Sequence, residues 1–232
     1  MSRDEVTQAE KDGAALYNRA ALAVYDTVVL RWSNGLVWRC PTERLLAHYD
    51  RHLSGSHLDI GPGTGWYLQN ATYPTPEPEI TLMDLNPSTM ELTSRRLAER
   101  GIVAAAHTGS VLAPIDIEHG PFESVAANFV MHCVPGAWQD KGVAFGHIAD
   151  VTAEEGVFFG STILGRGVTH NLAGKALSTI YNDASNIFSN RQDDRSGLEA
   201  ALEAAFKNVE VEVIGTVAVF AARGPRRHRT GR

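Results

Sequence analysis

Between Leu58 and Trp66 the chain reads Leu-Asp-Ile-Gly-Pro-Gly-Thr-Gly-Trp, and no other stretch restricts the fold so strongly. Leu58 and Ile60 are strand-like, and glycines follow at 61, 63 and 65. A parallel strand that turns sharply into a helix needs this composition. Glycine tolerates positive φ and lets a ligand approach the backbone, while the free N–H groups of the following helix form a slightly positive rim. The glycines are more tightly spaced than in the dinucleotide pattern, where the last lies three residues after the second. An acid, Asp59, precedes them, and a second acid, Asp84, closes the apolar run Ile80-Thr81-Leu82-Met83. Nucleotide-binding α/β folds place a ribose-holding acid about 20 residues beyond the glycine turn.

From the strand that opens this turn onward, strands alternate with helices, which predicts a doubly wound, mostly parallel sheet. The predicted strands are Ser56–Ile60, Ile80–Asp84, Ile102–His107, Phe122–Phe129 continuing through Val134 to the break at Pro135-Gly136, and a fifth starting at Gly156. Asn86 and Pro87 are placed to cap and start the helix after strand two, which ends before Gly101. One helix is expected from Ala137 to Val151 and another from Leu198 to Phe206. Val209–Ile214 and Thr216–Ala222 read as a closing strand pair joined at Gly215. Residues 165–195 interrupt the rhythm with a helical stretch over Leu172–Phe188, and an insert at this point lies over the carboxyl ends of the strands.

Before the first strand, Tyr17, Ala21, Val24, Val28 and Trp32 recur at helical spacing, so a helix is expected from Gly13 to Arg31. A second opens at Pro41-Thr42-Glu43 with Leu45, Leu46, Tyr49 and Leu53 on one face. The aromatics Tyr17, Tyr25, Trp32, Trp38 and Tyr49 serve either to pack this cap or to line a pocket. The expected organisation is a helical cap over 1–54, a core over 55–222 carrying a lid over 165–195, and a basic, disordered tail over 223–232.

The net charge of −6 argues against nucleic acid as partner. No run of about 18 apolar residues or apolar leader is present, so neither a membrane span nor a signal peptide is expected. Cys40 and Cys133 are far apart and form no metal pattern, and are read as reduced thiols of a cytoplasmic protein.

Asp59, the three glycines and Asp84 together resemble class I S-adenosylmethionine-dependent methyltransferases, whose first motif is Asp-x-Gly-x-Gly-x-Gly. The resemblance covers residues 56–222 and implies a seven-stranded Rossmann-like sheet with an antiparallel last strand. It implies that Asp59, Gly61, Gly63 and Gly65 line the methionine part of S-adenosylmethionine, that Asp84 holds the ribose, and that Leu85 and Asn86 flank the adenine. After strand three the family often has an acid, whereas this chain has Gly109-Ser110-Val111, which leaves the adenine amine to Ser110 or the backbone near Val111. Asn128 to His132 match the fourth-strand motif beneath the sulfonium. The Asp/Asn-Pro-Pro-aromatic motif of amino methyltransferases is missing, since the chain reads Asn128-Phe129-Val130-Met131.

Methyl transfer requires alignment and exclusion of water more than a base. His132 stands at the right strand end to be a base or a packed core histidine, and Tyr181, with His170 and Asn182, lies in the insert, at the surface or against substrate. No carboxylate cluster suggests a catalytic metal. The leading expectation is a small-molecule methyltransferase of a biosynthetic pathway, with homodimer assembly open. The alternatives are an enzyme that cyclises or cleaves S-adenosylmethionine itself, releasing methylthioadenosine and a small cyclic amino acid, and a non-enzymatic cofactor-binding subunit.

Overall fold

From Thr42 onward helices and strands alternate: α1 (Thr42–His52), β1 (Ser56–Ile60), α2 (Trp66–Asn70), β2 (Glu79–Asp84), α3 (Pro87–Ala98), β3 (Ala104–Thr108), β4 (Phe122–Asn128), α4 (Trp138–Lys141), α5 (Val143–Val151), β5 (Thr152–Ile163), α6 (Leu172–Thr179), a wide helical turn (Ile180–Ala184), α7 (Arg195–Ala205), β6 (Phe206–Ile214) and β7 (Val217–Pro225). The structure, a computed structural model, describes residues 34–184 and 187–227. The expected helix Gly13–Arg31, with Tyr17, Tyr25 and Trp32, lies outside the described residues.

The seven strands form one sheet in the order β3-β2-β1-β4-β5-β7-β6. The pairs β1–β2, β1–β4, β2–β3 and β4–β5 are parallel, and β7 runs antiparallel to both β5 and β6. The chain leaves β1 toward β2 and leaves β4 toward β5. The ends of β1 and β4 are therefore the switch point, where a crevice opens in such sheets.

Side-chain alternation along the strands sorts the core into two faces. Tyr49 of α1, Leu68 of α2 and Met90 and Leu97 of α3 pack on Ile80, Leu82, Ala126, Val157 and Phe159. On the opposite face, Leu58, Met83, Val125, Phe158 and Phe220 meet Trp138, Phe145, Ile148, Leu198 and Leu202 of α4, α5 and α7. A third cluster joins Trp38, Cys40 and Leu45 to Ile163, Ile187, Phe188 and Val219, which ties the insert to the sheet. Three helix starts are capped by side chains, the first of them, at Asn86, as the sequence leads one to expect. Asn86 accepts from Ser88 N at 3.0 Å with Pro87 next in line, Asn171 accepts from Gly174 N at 2.7 Å, and Asp194 from Gly197 N at 2.8 Å. Among the described residues no helix is long and apolar enough to cross a membrane.

Several boundaries differ from the sequence expectation; β5 starts at Thr152 and not at Gly156, and β6 at Phe206 and not at Val209. Strand β4 stops at Asn128 instead of running through Val134: the Phe129 N–H closes the last ladder bond, to Ser161 O at 2.8 Å, and Phe129 then takes a positive φ of 56° that turns the chain out of the sheet. The residues beyond curl into a turn, with Cys133 N bonded to Val130 O. The single helix expected over 137–151 is two, parted at Gly142, where Phe145 N reaches Gly142 O and restarts the winding. The insert's helix ends at Thr179 and passes into the wide turn, well short of Phe188. Residues 223–226, expected in the tail, belong to the fold, since β7 continues to Pro225 and the Arg226 guanidinium bonds Glu203 O and Phe206 O; residues 228–232 lie outside the described part.

Candidate active site

The glycine turn adopts the conformation its composition demands. Gly61, Gly63 and Gly65 all have positive φ, at 62°, 58° and 74°. Gly61 donates to Met83 O at 2.8 Å, which locks the turn to the end of β2. A Cβ on Gly61 would lie 2.5 Å from Val130 Cγ2, and one on Gly65 2.7 Å from Thr93 Cγ2. A Cβ on Gly63 would meet nothing within 4 Å, so this residue borders open space.

Two cavities flank the turn and share Gly61, Gly63 and Phe129. The larger is lined by Ile60, Met83, Asp84, Leu85, Thr89, Gly109, Ser110, Val111, Val130, Cys133, Val134 and Pro135, around about 760 Å³ of space that runs out into open solvent. It is mostly apolar, and its polar groups come from the ends of β2 and β3. The smaller is lined by Asp59, Thr64, Gly65, Trp66, Tyr67 and Asn128. Sequence reasoning thus names residues that the fold gathers: Asp84, Leu85, Ser110 and Val111 on one side, Asp59, Gly65 and Asn128 on the other, and Gly61 and Gly63 between them.

Asp84 Oδ1 accepts the Asn86 N–H at 2.8 Å. Burial holds its carboxyl above the usual carboxylate range, opposed by hydrogen bonds from Asn86, Thr89 and Leu85. Ser110 Oγ accepts from Leu112 N at 3.1 Å, which shapes the loop after β3. Asn128 Oδ1 accepts from Ser161 Oγ at 2.9 Å, while its Nδ2 is buried without a hydrogen-bond partner. A buried donor left unpaired is costly unless a ligand supplies an acceptor. The open space at Gly63, the orphan amide of Asn128 and the carboxylates at the two ends of the crevice fit a ligand with an adenosine part and a zwitterionic amino-acid part.

His132 does not line either cavity. It is 3% exposed and sits edge-on to Phe188, with ring centroids 4.5 Å apart. Its Nδ1 accepts the Ile163 N–H at 3.4 Å, so the ring proton is on Nε2. Burial, with a smaller contribution from Lys141, pushes its pKa down to about 3. The structure therefore makes His132 a packed histidine and not an exposed base. Tyr181 likewise packs on Phe188 at 4.8 Å, and burial raises its hydroxyl. His170 binds Leu164 O through Nε2 and meets Trp38 edge-on. Asn182, in contrast, reaches a third cavity, with Cys133, Pro135, Gly136, Ala137, Phe188, Ser189, Arg191 and Gln192. This cavity shares Cys133 and Pro135 with the larger of the first two. Burial pushes both thiols, Cys40 and Cys133, up to about 12, so neither is a nucleophile at neutral pH.

The segment that carries the third cavity is pinned by a buried ion pair that sequence reasoning missed. Lys141 Nζ and Asp193 Oδ2 are 2.6 Å apart, and both side chains are fully buried. Lys141 Nζ also donates to Ser189 O at 2.9 Å. Also missed was the role of Tyr49, whose hydroxyl donates to Asp59 Oδ2 at 2.5 Å. A signal for it exists in β1. A strand buried on both faces is normally apolar throughout, yet His57 and Asp59 fall on one face, so partners for them are required.

Sheet order, glycine turn and strand-end acids define a class I methyltransferase, and the comparisons agree. Residues 58–158 match the family described as a methyltransferase domain. The chain belongs to the class I S-adenosylmethionine-dependent methyltransferases. It is 39% identical over 218 residues to the physcion biosynthesis cluster O-methyltransferase of Aspergillus chevalieri, covering 92% of this chain and 96% of the relative. It is 34% identical over 211 residues to the demethylluteothin O-methyltransferase of Streptomyces thioluteus, covering 91% and 90%. Among solved structures, phospholethanolamine N-methyltransferase 2 of Haemonchus contortus, with S-adenosylhomocysteine bound, has the same fold at TM-score 0.67 and 14% identity, covering 95% of this chain and 61% of that one. An O-methyltransferase family protein of Burkholderia thailandensis matches at TM-score 0.63 and 15% identity, covering 97% and 64%.

Proposed function

We propose that this enzyme moves a methyl group from S-adenosylmethionine to a hydroxyl oxygen of a small molecule made in a biosynthetic pathway. The observation that carries the reading is the junction of two cavities at Cys133 and Pro135, one built on the glycine turn and the other under the insert. The O-methyltransferase names of the two relatives above support oxygen as the acceptor atom.

When bound, S-adenosylmethionine supplies a methyl carbon already activated by its sulfonium. The work left to the protein is positioning. In this reading Asp84 takes the ribose hydroxyls, Leu85, Ser110 and Val111 contain the adenine, and Asp59, Gly61, Gly63, Gly65 and Asn128 hold the methionine end. The acceptor lies in the third cavity, where Arg191 offers hydrogen-bond donors and Phe188 an apolar wall. Residues 165–195 act as the lid that keeps water from the reacting atoms.

The test is incubation of the purified protein with S-adenosylmethionine and a panel of phenolic and enolic acceptors, followed by mass spectrometry. The expected result is an acceptor heavier by one methylene, formed together with S-adenosylhomocysteine. Methylthioadenosine formed without any acceptor, above spontaneous breakdown, overturns the reading and favours reaction within the cofactor.

A further inference from the structure

Behind Asp59 lies a hydrogen-bonded chain of three side chains, all buried. Ser124 of β4 stands beside His57 of β1 in the sheet register. The distance from Ser124 Oγ to His57 Nδ1 is 2.8 Å, from His57 Nε2 to Tyr49 Oη 3.0 Å, and from Tyr49 Oη to Asp59 Oδ2 2.5 Å. One proton arrangement satisfies every contact. Ser124 donates to Nδ1, His57 donates from Nε2 to Tyr49, and Tyr49 donates to the carboxylate. The far end is anchored by the Ser54 N–H, which donates to Ser124 Oγ at 2.9 Å.

The Tyr49 ring is fixed on three sides. It stacks on Tyr67 at 5.4 Å with planes 12° apart, and meets Phe159 at 5.3 Å and His57 at 5.7 Å edge-on. Burial and the neighbouring Asp59 charge push the phenol well above its ordinary pKa, so it remains a donor. A core that needed only packing would fill this space more cheaply with apolar groups, because buried polar networks carry a desolvation penalty. What this network gives is a fixed carboxylate at the wall of the smaller cavity. Oδ2 is taken by Tyr49, so a ligand donor must come to the remaining lone pairs.

We propose that Tyr49 is a positioning residue for the cofactor's amino-acid end, acting through Asp59 and itself oriented by His57 and Ser124. This rests on the reading of the glycine turn as an S-adenosylmethionine site. The carboxylate is aimed at the ammonium group of the methionine part. Helix α1, which precedes the methyltransferase sheet in the chain, thereby contributes to cofactor selection.

The experiment is calorimetric titration with two probes that share the adenosine and sulfur but differ in the amino-acid part, S-adenosylhomocysteine and 5′-methylthioadenosine. The Y49F variant keeps the ring and loses the donor. Its affinity for S-adenosylhomocysteine is expected to fall by about tenfold, the effect of a hydrogen bond to a charged group, with 5′-methylthioadenosine binding unchanged within about twofold. The S124A variant, at the far end of the chain, shows a smaller loss with the same selectivity, and decides the matter if Y49F does not fold. Equal losses for both probes mean a merely structural role and overturn the proposal, as does no loss for either. A wild-type protein that binds neither probe refutes the cofactor reading itself, and this proposal falls with it.

Discussion

Replacing Asp193 by Asn breaks the ion pair beneath the third cavity without changing the side chain's shape. Lys141 and Asp193 are both fully buried and 2.6 Å apart, so no solvent screens either charge. Burial pushes Asp193 up to about 6 and Lys141 below its ordinary range, and the charge of each partner opposes this shift. Removing one charge from such a pair costs about 3–5 kcal/mol, because the other is left uncompensated. The low end applies here, since Lys141 keeps Ser189 O at 2.9 Å and Val134 O at 3.5 Å. A loss of about 3 kcal/mol is a large part of the roughly 5–15 kcal/mol that stabilises a domain. Urea unfolding at neutral pH reads it as a lower midpoint, and thermal unfolding as a drop of about 6–12 °C for a chain of this size. Because desolvation opposes both ions, the double variant Lys141→Met with Asp193→Leu is expected to recover most of the loss. A single variant that loses less than about 1 kcal/mol, or a double variant as unstable as the single, would refute the reasoning.

The glycines separate fold from ligand: Gly61→Ala forces a Cβ within 2.5 Å of Val130 Cγ2 at φ 62° and is expected to lower the melting temperature clearly, whereas Gly63→Ala adds only left-handed strain of about 1–2 kcal/mol. Both weaken S-adenosylhomocysteine binding, Gly63→Ala by at least about tenfold with the fold retained, because its methyl enters the open space at the turn. His132 sets an acid limit to stability: its native pKa is about 3 against 6.5 ordinarily, so below pH 6.5 the unfolded chain takes up a proton that the native state refuses. The wild type therefore loses about 1.4 kcal/mol per pH unit through this group, or about 2 kcal/mol by pH 5, a slope that levels off below the native pKa and that His132→Gln lacks in denaturant titrations at several pH values.

The sheet was legible because its signals are local. Glycines at alternating positions, an acid just before them and another closing the next apolar run, and an Asn-Pro cap each act through a few neighbouring residues, and all appear in the structure where the sequence places them. The end of β4 was not legible. Phe129-Val130-Met131-His132 has strand composition, yet Phe129 closes the last ladder bond, to Ser161 on the neighbouring strand, and its positive φ then turns the chain away from the sheet. His132 was ambiguous for a related reason, since its burial depends on Phe188, 56 residues away in sequence but edge-on against it in space. Tyr49 lies at helical spacing with Leu45 and reads either as packing the cap or as lining a pocket; its bond to Asp59 depends on how α1 crosses the sheet. Lys141 and Asp193 are separated by the insert, and nothing local pairs them.

The central claim is that the crevice at the ends of β1 and β2 holds S-adenosylmethionine with Asp84 on the ribose. Calorimetric titration of S-adenosylmethionine into the wild type and into Asp84→Asn tests it most directly. The account predicts saturable binding at one site per chain, weakened at least about tenfold in the variant, the value of hydrogen bonds to a charged acceptor. Equal affinity in the two proteins, with both folded, would contradict it.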